Sequence, residues 1–202
     1  MRRIVVLASG NGSNAQALMD ATADGRINGV ISAVVSDRPT ARVLDRARTA
    51  GVPALAVARV SGEARECHEE RLVGAVTPFA PDLVVLAGWM RILTVRFLGS
   101  VGAPVVNLHP ALPRELPGTR AIERAWGERH SGRTRSGVMV HLVPDEGVDT
   151  GPVLGSVEVP LAPHDTLEDF ERRMHSAEHG LLVSVVGGIV DGRLSAGEGA
   201  HA

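Results

Sequence analysis

Short runs of apolar, often β-branched residues alternate along this chain with longer amphipathic stretches. The unbroken apolar run Ile4–Ala8 predicts a first strand, and Ser13–Thr22 carries its apolar residues at helical spacing. Strand Val30–Ser36, helix Ala41–Ala50 and strand Ala54–Ala58 follow, giving βαβαβ. A helix from about Gly62 to Pro78 comes next, then strand Leu83–Ala87, a short helix Val95–Leu98 and strand Val105–Leu108. Strands that are apolar on both faces belong to parallel sheets covered on both sides. The expected class is therefore α/β: an open, twisted, mostly parallel sheet with helices on both faces and a Rossmann-like N-terminal half.

The pattern changes after Pro110. A Pro- and Gly-rich stretch runs to Gly118, followed by a helix from Thr119 to about Glu128 and two alternating segments, Ser136–Leu142 and Val153–Val159, that read as antiparallel strands. An acidic, turn-rich loop joins those strands, and a helix from Thr166 to about Val190 closes the pattern, stopped by Gly192. One domain is expected, with residues 1–104 as a phosphate-binding βαβ half, 105–194 as a catalytic half and 195–202 as a frayed tail.

Charge and composition narrow the partners. The net charge is -2 over 202 residues, so no basic surface recommends nucleic acid and no polybasic run recommends a membrane. Small-molecule partners are expected, with the chain a monomer or homodimer. All 21 basic residues are Arg, which removes Schiff-base chemistry and any phosphate loop that depends on Lys. Cys67 is the single cysteine, so no disulfide framework and no thiolate metal site can form, and a reducing cytoplasmic setting is expected. Met1-Arg2-Arg3 before Ile4–Ala8 imitates a signal peptide, but that apolar run is five residues long. No run approaches the roughly eighteen apolar residues of a membrane span.

Two sites stand out. Ser9-Gly10-Asn11-Gly12-Ser13-Asn14 joins the first strand to the first helix, where free backbone N–H groups and the helix dipole favour an anion. Through Ala15 the loop also satisfies a loose dinucleotide fingerprint with Asp37 as ribose acid, but Asp37 lies farther along than that fingerprint places it, and Asn11, Ser13 and Asn14 suit a terminal phosphate better. The plainer alternative is a helix capped by Ser13. In the second site, side chains alternate along a strand, so Asn107 and His109 project together, and Pro110 ends the strand just beyond them. Open α/β sheets keep their sites at such carboxyl ends. An acidic neighbour such as Asp149 would raise the pKa of His109 and favour an imidazolium, which with the Asn107 amide can stabilise the oxyanion of a carbonyl turning tetrahedral. No serine or cysteine is placed as a nucleophile, so the acyl group should pass directly to an acceptor.

The segments Ser9–Asn14, Ala87–Leu93, Asn107–Pro110, Val148–Pro152 and Glu178-His179 resemble, in order, the motifs of the phosphoribosylglycinamide formyltransferase family, and the resemblance extends from Arg3 to Leu194. It implies the formyltransferase fold and a step of de novo purine (IMP) biosynthesis, in which formyl passes from the co-substrate 10-formyltetrahydrofolate to the amine of glycinamide ribonucleotide. No metal is implied. By the same resemblance His109, Asn107 and Asp149 are catalytic, Gly12, Ser13 and Asn14 hold the ribonucleotide phosphate, and Glu178, with His175 nearby, orients the glycinamide amine. Arg65, Met90, Arg91, Ile92 and Leu93, together with Asn107, would bind the folate, the backbone of Met90–Leu93 reading its pterin. The chain departs from many relatives at Ala111–Gly118, at Arg120 where many carry His, and at His175 where some carry Lys.

Two alternatives stand beside this reading, the first within the formyl-folate enzymes that the resemblance brings in and the second from a residue pattern. A formyltetrahydrofolate hydrolase would use water as acceptor, but such enzymes, like the methionyl-tRNA formyltransferases, usually carry an extra domain that this length does not accommodate. His175-Ser176-Ala177-Glu178-His179 matches the H-x-x-E-H pattern of a zinc peptidase, for which only Asp191, Glu198 and His201 remain as a downstream third ligand.

Overall fold

The computed structural model describes residues 1–196, so the end of the expected frayed tail, from Gly197 on, lies outside the described residues. Seven strands form one sheet: β1 (Arg2–Leu7), β2 (Gly29–Ser36), β3 (Ala54–Ala56), β4 (Leu83–Leu86), β5 (Val105–His109), β6 (Arg135–Leu142) and β7 (Val153–Pro160). Their order is β3-β2-β1-β4-β5-β6-β7. The first five run parallel, while β6 is antiparallel to both β5 and β7. The helices are α1 (Ser13–Ala23), α2 (Arg42–Thr49), α3 (Arg65–Val76), α4 (Val95–Ser100), α5 (Ala121–Gly127) and α6 (Leu167–Val190). None of them is long and apolar enough to cross a membrane, among the described residues.

Alternation along the strands splits the core into two layers. Ile4, Val6, Val106 and Leu108 pack on one face against residues of α1, α2 and α6, including Leu18, Leu44 and Leu182. Val5, Leu7, Val84 and Val105 pack on the other against Leu72 and Val76 of α3 and Phe97 of α4. Asn107 and His109 therefore emerge on the face of Val105. Strand β1 has β2 on one side and β4 on the other, so the chain reverses its winding direction between β1 and β4. The loops leaving their carboxyl ends diverge there and leave a crevice, the usual ligand position in an open α/β sheet.

Several element ends differ from the sequence expectation for local reasons. The helix expected over Gly62–Pro78 begins only at Arg65, because Gly62 (φ +77°) makes a turn in which Val60 and Glu63 bond each other, and Ala64 is extended. It ends at Val76, where a 3₁₀ turn over Thr77–Phe79 takes over at Pro78. The third strand stops at Ala56 rather than Ala58. The helix expected from Thr119 starts at Ala121, since Arg120 is left-handed (φ +55°). Thr166 caps α6 instead of joining it: its Oγ1 accepts from the Asp169 N–H while the Asp169 carboxylate accepts from the Thr166 N–H.

Ser13 does not cap α1, as the plain alternative required. Gly12 occupies the cap position with φ +77°, and no side chain accepts from the first turn. A Cβ on Gly12 would sit 2.8 Å from the Val43 Cα, so α1 meets the start of α2 through a glycine that must be left-handed. Gly12→Ala is expected to destabilise the fold by about 1–3 kcal/mol, combining backbone strain with overpacking. Urea denaturation would measure it, and a loss below about 0.5 kcal/mol would refute the close approach.

Candidate active site

Asp149 gathers the residues at the end of β5. Its Oδ1 accepts from Asn107 Nδ2 at 3.1 Å, and its Oδ2 accepts from the Gly118 N–H at 2.8 Å. His109 Nδ1 lies 3.3 Å from Oδ2, and His141 Nε2 lies 3.5 Å from Oδ1. Asp149 reaches this position from the loop between β6 and β7 with a left-handed backbone (φ +56°), a conformation that costs a non-glycine residue about 1–2 kcal/mol. Burial alone would raise its pKa, but the hydrogen bond from His141, the Gly118 N–H and the charges of the two histidines outweigh it and hold the carboxyl below its usual range.

His109 behaves differently from the sequence expectation. Its side chain is 5% exposed, and burial pushes the imidazole below its ordinary pKa. Asp149 pulls it upward, as does the Leu116 carbonyl, while His141 and Arg124 oppose them; the net displacement is downward. The expected sign of the Asp149 effect is right, but desolvation is larger, so the resting ring favours the neutral form near pH 7. A carbonyl only accepts, so His109 Nε2, 3.0 Å from the Leu116 oxygen, carries a proton and donates it there. Leu116 is itself left-handed (φ +45°), as is nearby Arg114 (φ +68°). These two sit in the Pro-rich stretch that departs from the family pattern.

His141, absent from the sequence expectation, belongs to the same cluster. It stands directly opposite Asn107 in the β5–β6 pairing and is buried. Its Nδ1 donates to the Leu142 carbonyl at 2.7 Å, and its Nε2 is 3.1 Å from Asn107 Nδ2. The neutral ring accepts from that amide, whereas the charged ring donates to Asp149. With the ring neutral, both hydrogens of the Asn107 amide are engaged, one on Asp149 and one on His141, and one must be exchanged before Asn107 can serve an oxyanion. The strand alternation over Ser136–Leu142 held the signal: a histidine in an otherwise apolar run.

A second cluster lies where α1 packs on α6. Glu178, with a side chain 6% exposed, accepts on Oε2 from Asn14 Nδ2 at 3.1 Å and from His175 Nδ1 at 3.0 Å. The hydrogen bond to Glu178 raises the pKa of His175 above its usual value. Asn14 Oδ1 is buried without a hydrogen-bond partner among the described residues, so this pocket offers an acceptor as well as a carboxylate. Gly12 and Ser13 bring the uncapped first turn of α1 to the same end. His175 is paired with Glu178, His179 Nε2 is buried and unpartnered, and no group of three metal-ligating residues occurs among the described residues; of the third ligands open to the peptidase alternative, Glu198 and His201 lie outside them.

Between α3 and the segment after β4 lies a cleft of about 310 Å³ lined by Arg65, His68, Trp89, Met90, Ile92 and Leu93 among others. Met90 and Ile92 present apolar side chains that are 54% and 49% exposed, while Leu93 is buried beneath them. Arg65 reaches across: Nη2 donates to the Ile92 carbonyl at 2.9 Å, Nη1 to Glu146 at 3.3 Å and Nε to Glu69 at 3.3 Å. Arg91, expected to bind the folate, is paired through Nε with Asp37 at 2.7 Å while its side chain stays 37% exposed. The Met90 N–H and Ile92 carbonyl, expected to face a pterin, are bonded to Ser9 Oγ and Arg65.

Comparisons with known proteins bear on the chain as a whole. The formyl transferase family profile matches residues 2–186. The chain is 38% identical to phosphoribosylglycinamide formyltransferase of Escherichia coli K12, across 98% of this chain and 91% of that protein. It is 33% identical to the Bacillus subtilis enzyme of the same name, covering 92% and 93%. Among solved structures, glycinamide ribonucleotide transformylase 1 from Symbiobacterium toebii superposes with a TM-score of 0.90 at 37% identity, covering 98% of this chain and 92% of that one. Across nearly its whole length, then, the chain belongs to the phosphoribosylglycinamide formyltransferase family.

Proposed function

We propose that the protein transfers formyl from 10-formyltetrahydrofolate to the amine of glycinamide ribonucleotide, with Asn107, His109 and Asp149 as the catalytic residues. The observation that carries this assignment is one largely enclosed carboxylate, Asp149, its side chain 10% exposed, meeting an amide and an imidazole at the carboxyl end of β5. On this reading Gly12, Ser13 and Asn14 take the ribonucleotide phosphate, Glu178 and His175 orient the amine, and the folate enters between Met90–Leu93 and the loop carrying Asp149. The small-molecule substrates suit the net charge of -2; monomer or homodimer remains the proposed assembly.

The mechanism follows from where protons sit. Substrate must displace the Leu116 carbonyl from His109 Nε2 and one partner from the Asn107 amide, so that both donors reach the formyl oxygen. The amine, deprotonated and held by Glu178, attacks, and negative charge develops on that oxygen. Bond formation to the formyl carbon turns the amine into an ammonium, and the neutral ring, made more basic beside the oxyanion, takes one of its protons on Nδ1 by way of a water ordered by Asp149. Asp149 stabilises the resulting imidazolium through Nδ1, and the same water relays that proton to the departing folate nitrogen. Collapse of the intermediate then leaves formylated amine and free tetrahydrofolate.

An absorbance assay of folate release tests the assignment. Turnover is expected only with glycinamide ribonucleotide present; turnover without it would indicate a hydrolase, and none in either case would refute the enzyme. Asp149→Asn should lower kcat by about 10²-fold or more, in the range of general acid–base losses, with ribonucleotide affinity nearly unchanged. By NMR, His109 in the unliganded protein should titrate below its ordinary ~6.5 and lower still in Asp149→Asn, because the variant loses the attraction that favours the charged ring. An unchanged or higher His109 value in that variant would refute the electrostatic role of Asp149. Linkage has a matching sign: a depressed histidine withholds protons that the unfolded chain binds, so the contribution of His109 falls as pH drops through ~6.5.

A further inference from the structure

Asp37 is a buried ionisable group that the transfer chemistry leaves unused. It follows β2 at its carboxyl end with a side chain 2% exposed, and its hydrogen-bonded partner is Arg91, whose Nε donates to Oδ2 at 2.7 Å. The other carboxylate oxygen is buried with no hydrogen-bond partner among the described residues. A carboxylate this deep is costly unless compensated, so Arg91 is held at one end by a strong local demand for positive charge. The rest of Arg91 belongs to the segment Met90–Leu93. Two further bonds fix the same stretch from the same side: the Ser9 N–H donates to the Gly88 carbonyl at 3.0 Å, and the Met90 N–H donates to Ser9 Oγ at 3.0 Å. On the opposite side Arg65 holds the Ile92 carbonyl.

We infer that Asp37 is a positioning residue for the folate co-substrate: by anchoring Arg91 it sets the backbone of Met90–Leu93 against the ends of β1 and β2, without touching either substrate. The inference rests on Met90–Leu93 being the folate wall. The asymmetry of exposure supports it, since Arg91 is 37% exposed and Asp37 only 2%. Removing the carboxylate releases a guanidinium that water can solvate and leaves the segment free to move. Removing the guanidinium instead strands a buried charge and threatens the fold itself. An acid reading a ribose would need the opposite arrangement, an exposed carboxylate with its lone pairs toward the crevice.

Steady-state kinetics of Asp37→Asn, with 10-formyltetrahydrofolate and glycinamide ribonucleotide varied separately, test this. The folate KM should rise about tenfold, with the ribonucleotide KM and the kcat at saturating folate within about twofold. The paired change Asp37→Asn with Arg91→Gln, which strands no buried charge, should raise the folate KM no further than Asp37→Asn alone, because residues acting as one unit are not additive. An unchanged folate KM, an equal rise in both KM values, or a further rise in the paired variant would overturn the role of Asp37. Ile92→Asp separates the underlying reading: if it leaves the folate KM unchanged, the wall assignment itself fails, whereas a raised KM there beside an unchanged one in Asp37→Asn overturns Asp37 alone. Should Asp37→Asn not fold, the paired change Asp37→Leu with Arg91→Met removes both charges together, and an unchanged folate KM in that protein would equally overturn the inference.

Discussion

The buried charge of Asp149 is the constraint on which the site is built. Taking a carboxylate out of water costs several kcal/mol even after relaxation, and only well-placed donors offset it. Here the Asn107 amide on β5 and the Gly118 N–H after the Pro-rich stretch donate to it, while His109 on β5 and His141 on β6 stand 3.3 and 3.5 Å away and donate when their rings carry the extra proton. One ionised group thus locks two strands, a connecting segment and its own loop into a single arrangement. Hydrogen bonds to charged groups are worth roughly 1.5–3 kcal/mol each, so a donor lost from this set is felt by every other member. The left-handed backbone at Asp149, and those at Leu116 and Arg114, are strains that such a network can sustain.

Topology decides what faces that network. Because β1 lies between β2 and β4, the glycine loop and the Met90–Leu93 segment leave the sheet side by side and then part. The proposed phosphate end and the proposed folate wall are consequently tied to each other through Ser9. β5 then follows β4 in the same sheet and places its last residues, the proposed catalytic pair, between them. The antiparallel return through β6 adds His141 opposite Asn107, a placement that a purely parallel continuation would not provide.

Much of this was legible in the sequence, and the reasons it stopped are physical. Strand alternation and Pro110 located Asn107 and His109 on one face, since those rules act over two or three residues. The helix over Arg65–Val76 was read too long because a turn at Gly62 and an extended Ala64 interrupt a pattern that stays amphipathic through them. His141 was missed because its importance comes from register with a strand more than twenty residues away in sequence, and local periodicity carries no register. The partner of Arg91 was equally hidden, since Asp37 meets it only after the sheet has brought β2 and the β4 exit loop together. The net pKa direction of His109 depended on how deeply its ring is buried, which no pairwise spacing reveals.

That last correction changes how the chemistry is best understood. A permanently charged His109 beside an ionised Asp149 would already have made its strongest interaction in the resting protein, leaving little to gain in the transition state. A ring held neutral by burial, with Asp149 3.3 Å from Nδ1, has that gain in reserve. Rate acceleration comes only from interactions stronger in the transition state than in the ground state. In the proposed mechanism the His109–Asp149 ion pair satisfies that requirement, because it is completed when the formyl oxygen becomes negative and raises the basicity of the imidazole. The Leu116 carbonyl would serve the same end, holding the Nε2 proton at rest and yielding it to an oxygen that carries more charge.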